Sequence, residues 1–234
     1  MPQADNLKRR NIVNYKIILF APAIIALLSS CQKQGAQNQV TPEADAGLSG
    51  TVIYVEGKVT LNERQINTGE RVPVKSLIVT GPGSECEIIY AQKNIIRINE
   101  NTTVSVDFSQ PLKDLDLRQG SIASVLNNLE KLGNADSFSV RTNVAVMGVR
   151  GTVIFVHADK DRTYICDCNG TVYLRDADNK NQQTVEAAHH KASVFTKQNG
   201  KVVVRPGAME YHTDEDMQNL AAKIGYTIDW SVIE

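Results

Sequence analysis

The sequence contains no apolar run long enough to cross a bilayer as a helix. The stretch at 17–28 (IILFAPAIIALL) falls short of the ~20 residues that a span requires. Several catalytic signatures are also missing. There is no H-E-x-x-H for a zincin, no G-x-S-x-G for a serine hydrolase, and no glycine-rich phosphate loop. C-x-x-C-H is absent too, which excludes covalent haem attachment by that motif. The formal net charge is −1 and no basic block occurs, so nucleic acid is not an expected partner. Cysteine is scarce, with four in 234 residues, yet two of the four stand one residue apart in TYICDCNG.

What is present begins at the N-terminus. A basic, polar stretch (Lys8, Arg9, Arg10, Lys16) precedes the short apolar run, and Leu28-Ser29-Ser30-Cys31 follows it. The length suits a signal-peptide core. The LSSC string resembles a bacterial lipobox, in which small residues fit the peptidase and the thiol of Cys31 accepts the lipid. That resemblance implies an exported protein held by a membrane lipid through Cys31, in the periplasm or at the cell surface. Gln32, rather than Asp, after the cysteine favours the outer membrane. Removing residues 1–30 takes four basic residues and one acidic one, leaving the remainder mildly acidic. Residues 32–47 carry one strongly apolar residue, Val40, and read as a flexible tether.

From SGTVIYVEGKVTL onward the pattern alternates with period two and is broken by turn residues: SLIVT before GPGS, then CEIIYA, IIRIN before ENTT, VSVDF, LDLRQG and SIASVL. This predicts an all-β domain of short strands, solenoid-like or sandwich-like. Two helices are expected. One is VLNNLEKLG, with Gly133 as its stop. The other is DEDMQNLAAKIG, where Met217, Leu220, Ala221 and Ile224 share a face, acids fill the first turn and Gly225 ends it. The expected organisation is a signal peptide over 1–30, a tether over 31–47, a β domain over 48–206 and a helical tail over 207–234. GTVIYV at Gly50 recurs as GTVIFV at Gly151, which suggests two equivalent strands entering the core after a glycine turn.

The most specific segment is VRTNVAVMGVRGTVIFV, residues 140–156. It resembles the signature of the FecR domain, the periplasmic domain of the ferric-citrate transport regulators, whose hallmark stands here as Val149, Arg150, Gly151 and Thr152, with Gly148 before it. GTVIYVEGKVTL, GERVPVKSLIVTGPGSECEIIY, IRINENTTVSV, LDLRQGSIA and YICDCNGTVYL fall in the family's order, so the resemblance runs from about Gly50 to Val204. Gly148 and Gly151 are expected to let the backbone turn sharply between two strands, with Arg150 either satisfying carbonyls inside the turn, the commoner role, or offering a cation to a ligand. The resemblance implies a non-catalytic binding, sensing or scaffold module for a protein partner or cell-envelope component. Regulators of this family carry a cytoplasmic anti-sigma region before a membrane helix. Only some sixteen residues precede the apolar run here, so direct control of a sigma factor is not expected.

Within that frame the cysteines and histidines stand out. Residues i and i+2 of a strand share a face, so Cys166 and Cys168 project together. With His189, His190 or His212 they form a candidate site for zinc or another thiophilic ion. C-x-C is weaker than C-x₂-C, although a bulge before Asn169-Gly170 would bend it inward. Two other readings stand beside this one. Tyr164, Cys166 and Cys168 could be a packed face, or the thiols could be a strained redox pair. A metal- or thiol-dependent envelope enzyme using Cys166, Cys168, His189 and His190 is the alternative of a different class. Cys86, in phase with Ile88 and Tyr90, reads as core.

Overall fold

The computed structural model describes residues 49–109, 113–127 and 138–233. The signal peptide, Cys31 and the tether therefore lie outside the described residues. Among the described residues, fifteen strands precede one helix. The first eight are β1 (Gly50–Glu56), β2 (Val59–Leu61), β3 (Arg64–Gln65), β4 (Arg71–Val72), β5 (Lys75–Thr80), β6 (Glu85–Tyr90), β7 (Asn94–Ile98) and β8 (Thr103–Asp107). Then follow β9 (Lys113–Leu126), β10 (Phe138–Arg141), β11 (Ala145–Ala158), β12 (Arg162–Asp176), β13 (Gln183–Ala187), β14 (Lys191–Gln198), β15 (Lys201–Gly207) and α1 (Asp214–Ala222). The expected all-β domain with a short C-terminal helix is what forms.

The strands join in one sheet whose main path runs β15-β14-β12-β11-β10-β9-β7-β6-β1-β4. Its long members change partners midway. The first part of β9 pairs with β8 and with parallel β10, and its second part pairs with β7 and β11. β11 moves from β10 to β9 across a register shift between Val149 and Thr152. Left-handed glycines sit at these changeovers, Gly120 (φ +88°) in β9 and Gly151 (φ +58°) in β11. An L side chain is strained at such φ, so glycine is the residue that lets a strand bend there without breaking.

The V-R-G-T segment thus corrects the sequence expectation. Gly148 to Thr152 do not turn the chain between two strands; they form a bulge inside the continuous β11, with Arg150 exposed on it. The expected helix at 125–133 also fails where it is described. Val125 and Leu126 belong to β9 and pair with Ile95 and Asn94, and residues 128–137 lie outside the described set.

Alternate residues of the central strands feed opposite faces. Ile154, Val156, Ile122, Leu126 and Ile165 enter a main core, together with Tyr90, Phe108 and Phe138 in edge-to-face contact. Val153, Phe155, Ala123, Val125, Ile95, Tyr164, Cys166 and Cys168 enter a second cluster on the other face. That cluster is closed by Met217, Leu220 and Ala221 of α1 and by Ile228, with Tyr226 and Trp230 at its margin. The repeated GTVI strings are not equivalent. Val52 enters the main core and Ile53 packs on the second cluster, whereas Val153 and Ile154 do the reverse. Cys86 is fully buried in the main core with Ile88 and Tyr90, as its phase predicts.

The C-terminal segment is fastened at several points. Thr213 caps α1 in a capping box with Asp216. Lys223, just past the helix, donates to the fully buried Glu87 carboxylate at 2.5 Å, which Arg97 also grips at 2.8 Å. Asn169 Nδ2 donates to the carbonyls of Asp229 and Val232.

Candidate metal centre

The second cluster contains the sequence's most reactive residues. In β12, Asp167 pairs with Ile154 and Asn169 pairs with Val153, so Cys168 is an extra residue in the ladder. This bulge is the one the Asn169-Gly170 pair suggests. β12 changes partner at the same place. Gly170 pairs with Ala187 of β13, but Asp167 pairs with Lys191 of β14, and residues 188–190 bridge the gap. His190 is therefore delivered to the bulge, where its N–H donates to the Cys168 carbonyl at 3.0 Å. The backbone of His190 is left-handed (φ +31°), as is that of Tyr211 (φ +67°), which turns His212 inward ahead of α1. Non-glycine residues adopt such φ only where the surroundings enforce it, at a cost of about 1–3 kcal/mol each.

Four donor atoms converge: Cys166 Sγ, Cys168 Sγ, one nitrogen of His190 and one of His212, all within 4.8 Å of one another. Cys166 Sγ lies 3.4 Å from His190 Nδ1, and Cys168 Sγ lies 3.3 Å from His212 Nε2. The two nitrogens are 3.3 Å apart. Both sulfurs are fully buried, as is most of each of the two imidazoles. Phe155 stacks on His212 at 4.5 Å between centroids, and Trp230 covers His190 at 5.1 Å.

The outward nitrogens are fixed by acceptors. His212 Nδ1 lies 2.7 Å from the Glu210 carbonyl, and His190 Nε2 lies 2.8 Å from Asp214 Oδ1. A carbonyl or carboxylate can only accept, so each outward nitrogen carries a proton; a neutral ring then turns a lone pair inward, and a protonated one an N–H that donates to the thiolate. The charge balance is uneven. Hydrogen bonding from Cys168, then from the two imidazoles, pulls the Cys166 thiol down to about 3 against the opposing effect of burial. Burial, reinforced by the neighbouring Cys166, pushes Cys168 well above the usual thiol range. Burial works to lower the pKa of His190, but the Cys166 hydrogen bond and charge, with Asp214, outweigh it and the pKa rises.

Of the residues singled out in the sequence, Cys166, Cys168, His190 and His212 come together, whereas His189 joins only His190 and Asp214 in a second, more exposed group. His189 is half exposed, with Nε2 2.9 Å from Asp214 Oδ2, and it meets Trp230 edge-on. Asp214, which its place at a helix start explains by itself, also orients His190, and the only tryptophan forms a wall of the site. Neither residue announces that role in the sequence, because both depend on how the C-terminal segment returns to the sheet. His212 also borders a cleft of about 400 Å³ lined by Glu85, Arg97, Phe155, Tyr211, Asp216 and Met217.

With this geometry in place, comparison with known proteins locates the domain. Residues 76–173 match the family model described as FecR protein. The match spans β5 to most of β12, so it includes Val149–Thr152 and both cysteines of the cluster and ends before His190 and His212. Two crystal structures of a candidate anti-sigma factor from Parabacteroides distasonis are similar at 14% identity and a TM-score of 0.45. Each comparison covers 56% of this chain, and this chain spans about 60% of the length of those proteins. No curated protein matches significantly. Among the described residues no helix is long and apolar enough to cross a membrane.

Proposed function

We propose that this chain is an extracytoplasmic, non-catalytic binding or sensing protein, held to membrane lipid through Cys31. Its β domain and returning C-terminal segment form the working part. The match to a domain of extracytoplasmic regulators supports the regulatory class. The observation that carries the non-catalytic reading is the closure of the reactive cluster. Each of its four donors faces another donor, which is the arrangement of a structural site rather than one with a position left open for substrate. The metal- or thiol-dependent enzyme considered from the sequence draws on Cys166, Cys168, His189 and His190, and of these His189 stands outside the four-donor cluster.

The expected partner is a protein or another component of the cell envelope, with the outer membrane as the expected location. Labelled palmitate supplied to cells making the full chain tests the tether. Wild type is expected to carry label and to fractionate with membranes, while Cys31→Ser carries none. Label retained by Cys31→Ser, or an unlabelled wild type in the soluble fraction, contradicts the proposal.

A further inference from the structure

We infer that Cys166, Cys168, His190 and His212 bind one zinc ion, which cross-links the β sheet to the C-terminal segment. The inference rests on three independent features. The first is metrical. With Zn–S near ~2.3 Å and Zn–N near ~2.0–2.1 Å, a tetrahedral site has N–N edges of about 3.3 Å and S–N edges of about 3.5 Å. The corresponding separations here are 3.3 Å for the two nitrogens and 3.4 and 3.3 Å for the two sulfur–nitrogen pairs.

The second is the direction of the lone pairs. Glu210 and Asp214 accept from the outward nitrogens, so the neutral form of each imidazole aims its other nitrogen at the same point, the two lying 3.3 Å apart. A cation at that point takes a lone pair from each. The outward contacts are also those that metal-bound histidines make, a carboxylate in one case and a backbone carbonyl in the other.

The third is the local backbone. A β-bulge at Cys168, a left-handed His190 and a left-handed Tyr211 beside His212 each depart from the cheapest conformation, and all three aim a donor at the same point. Packing alone gives no reason for three such departures to converge. Two thiolates with two imidazoles suit zinc, and the sulfurs disfavour hard cations such as magnesium or calcium.

The consequence is topological. Cys166 and Cys168 lie in β12, His190 lies between β13 and β14, and His212 lies 44 residues beyond Cys168 at the entry to α1. One ion would close that loop and fasten the segment covering the second apolar cluster.

The test uses the full chain in detergent, stripped of metal and titrated with cobalt(II). Wild type and His189→Ala should each bind about one ion per chain and show the intense ligand-field bands and thiolate-to-cobalt charge transfer of a tetrahedral Cys/His site. Zinc should abolish the spectrum by displacement. Cys166→Ser/Cys168→Ser should lose the charge-transfer band. Because that double variant can fail to fold, the wild-type spectrum is decisive by itself. A wild-type chain with no charge-transfer band, or with an octahedral spectrum, overturns the inference. Retention of the band in the cysteine variant overturns it too. Neither outcome bears on the lipid tether, which the palmitate experiment reads separately.

Discussion

Single residues carry much of this architecture, and Gly120 shows how. Its φ of +88° bends β9, and a Cβ there would fall 2.5 Å from the Thr102 Cα. Gly120→Ala therefore combines a forbidden conformation with a backbone clash. It should lower stability by about 2–3 kcal/mol, read as a drop in denaturation midpoint at unchanged slope. Gly151 has the left-handed backbone but open space around it, so substitution there strains the chain without a collision. Cys86 makes the opposite case of a quiet residue. Burial first, and the neighbouring Glu87 and Glu85 charges next, push its thiol up to about 12. It should resist alkylation in the native protein at neutral pH and react only on unfolding, as peptide mapping after maleimide treatment would show. Early labelling of Cys86 would contradict its place in the core. This buried role was legible from phase alone, because Cys86, Ile88 and Tyr90 alternate on one face. The choice of His190 over His189 was not. Adjacent letters gave the pair equal standing, and only the β13-to-β14 handover and the left-handed backbone of His190 separate them.

At the scale of elements, the C-terminal strap is where local and distant interactions meet. Helix α1 was legible because its acids, apolar stripe and terminal glycine agree with one another. Its landing site was not legible, since the anchor points come from strands 46 to 136 residues away. Lys223 reaches Glu87 of β6, and Arg97 of β7 shares that carboxylate. Lys223→Ala should cost only about 1 kcal/mol, because the ammonium is partly exposed and Arg97 still compensates the buried charge. Thr213→Ala removes the capping-box oxygen and should cost a similar amount, about 1 kcal/mol. Both are read by chemical denaturation, and both should raise hydrogen exchange in α1 more than in the main core. Chelation should act more strongly on the same amides, since it would remove the tie at His212. With metal removed, exchange across 212–228 should rise severalfold while β6 and β7 remain protected. Equal exchange with and without metal would show that α1 docks independently of the ion. The V-R-G-T block illustrates the converse limit. Its letters carry the resemblance to the FecR domain, but they suggested a turn where the chain makes a bulge, because a left-handed glycine serves either purpose and only strand pairing distinguishes them.

For the whole molecule, the boundary of the family match is informative. The FecR-matching segment ends at residue 173, and the candidate site lies across that boundary, with two donors before it and two after. The sheet was legible from its alternating runs, and the second apolar face was legible only in part. Val153, Phe155, Tyr164 and Cys166 alternate with main-core residues, so the strands read as buried on both sides without revealing what covers them. The strap provides that cover, and the proposed ion ties it down. The most direct test is elemental analysis of the full-length protein extracted from membranes and purified without chelators. About one zinc per chain in wild type and His189→Ala, falling to less than about a tenth in a folded Cys166→Ser/Cys168→Ser variant, is the predicted result. A wild-type protein that remains metal-free after equilibration with zinc, or a cysteine variant that keeps its zinc, would contradict the central claim.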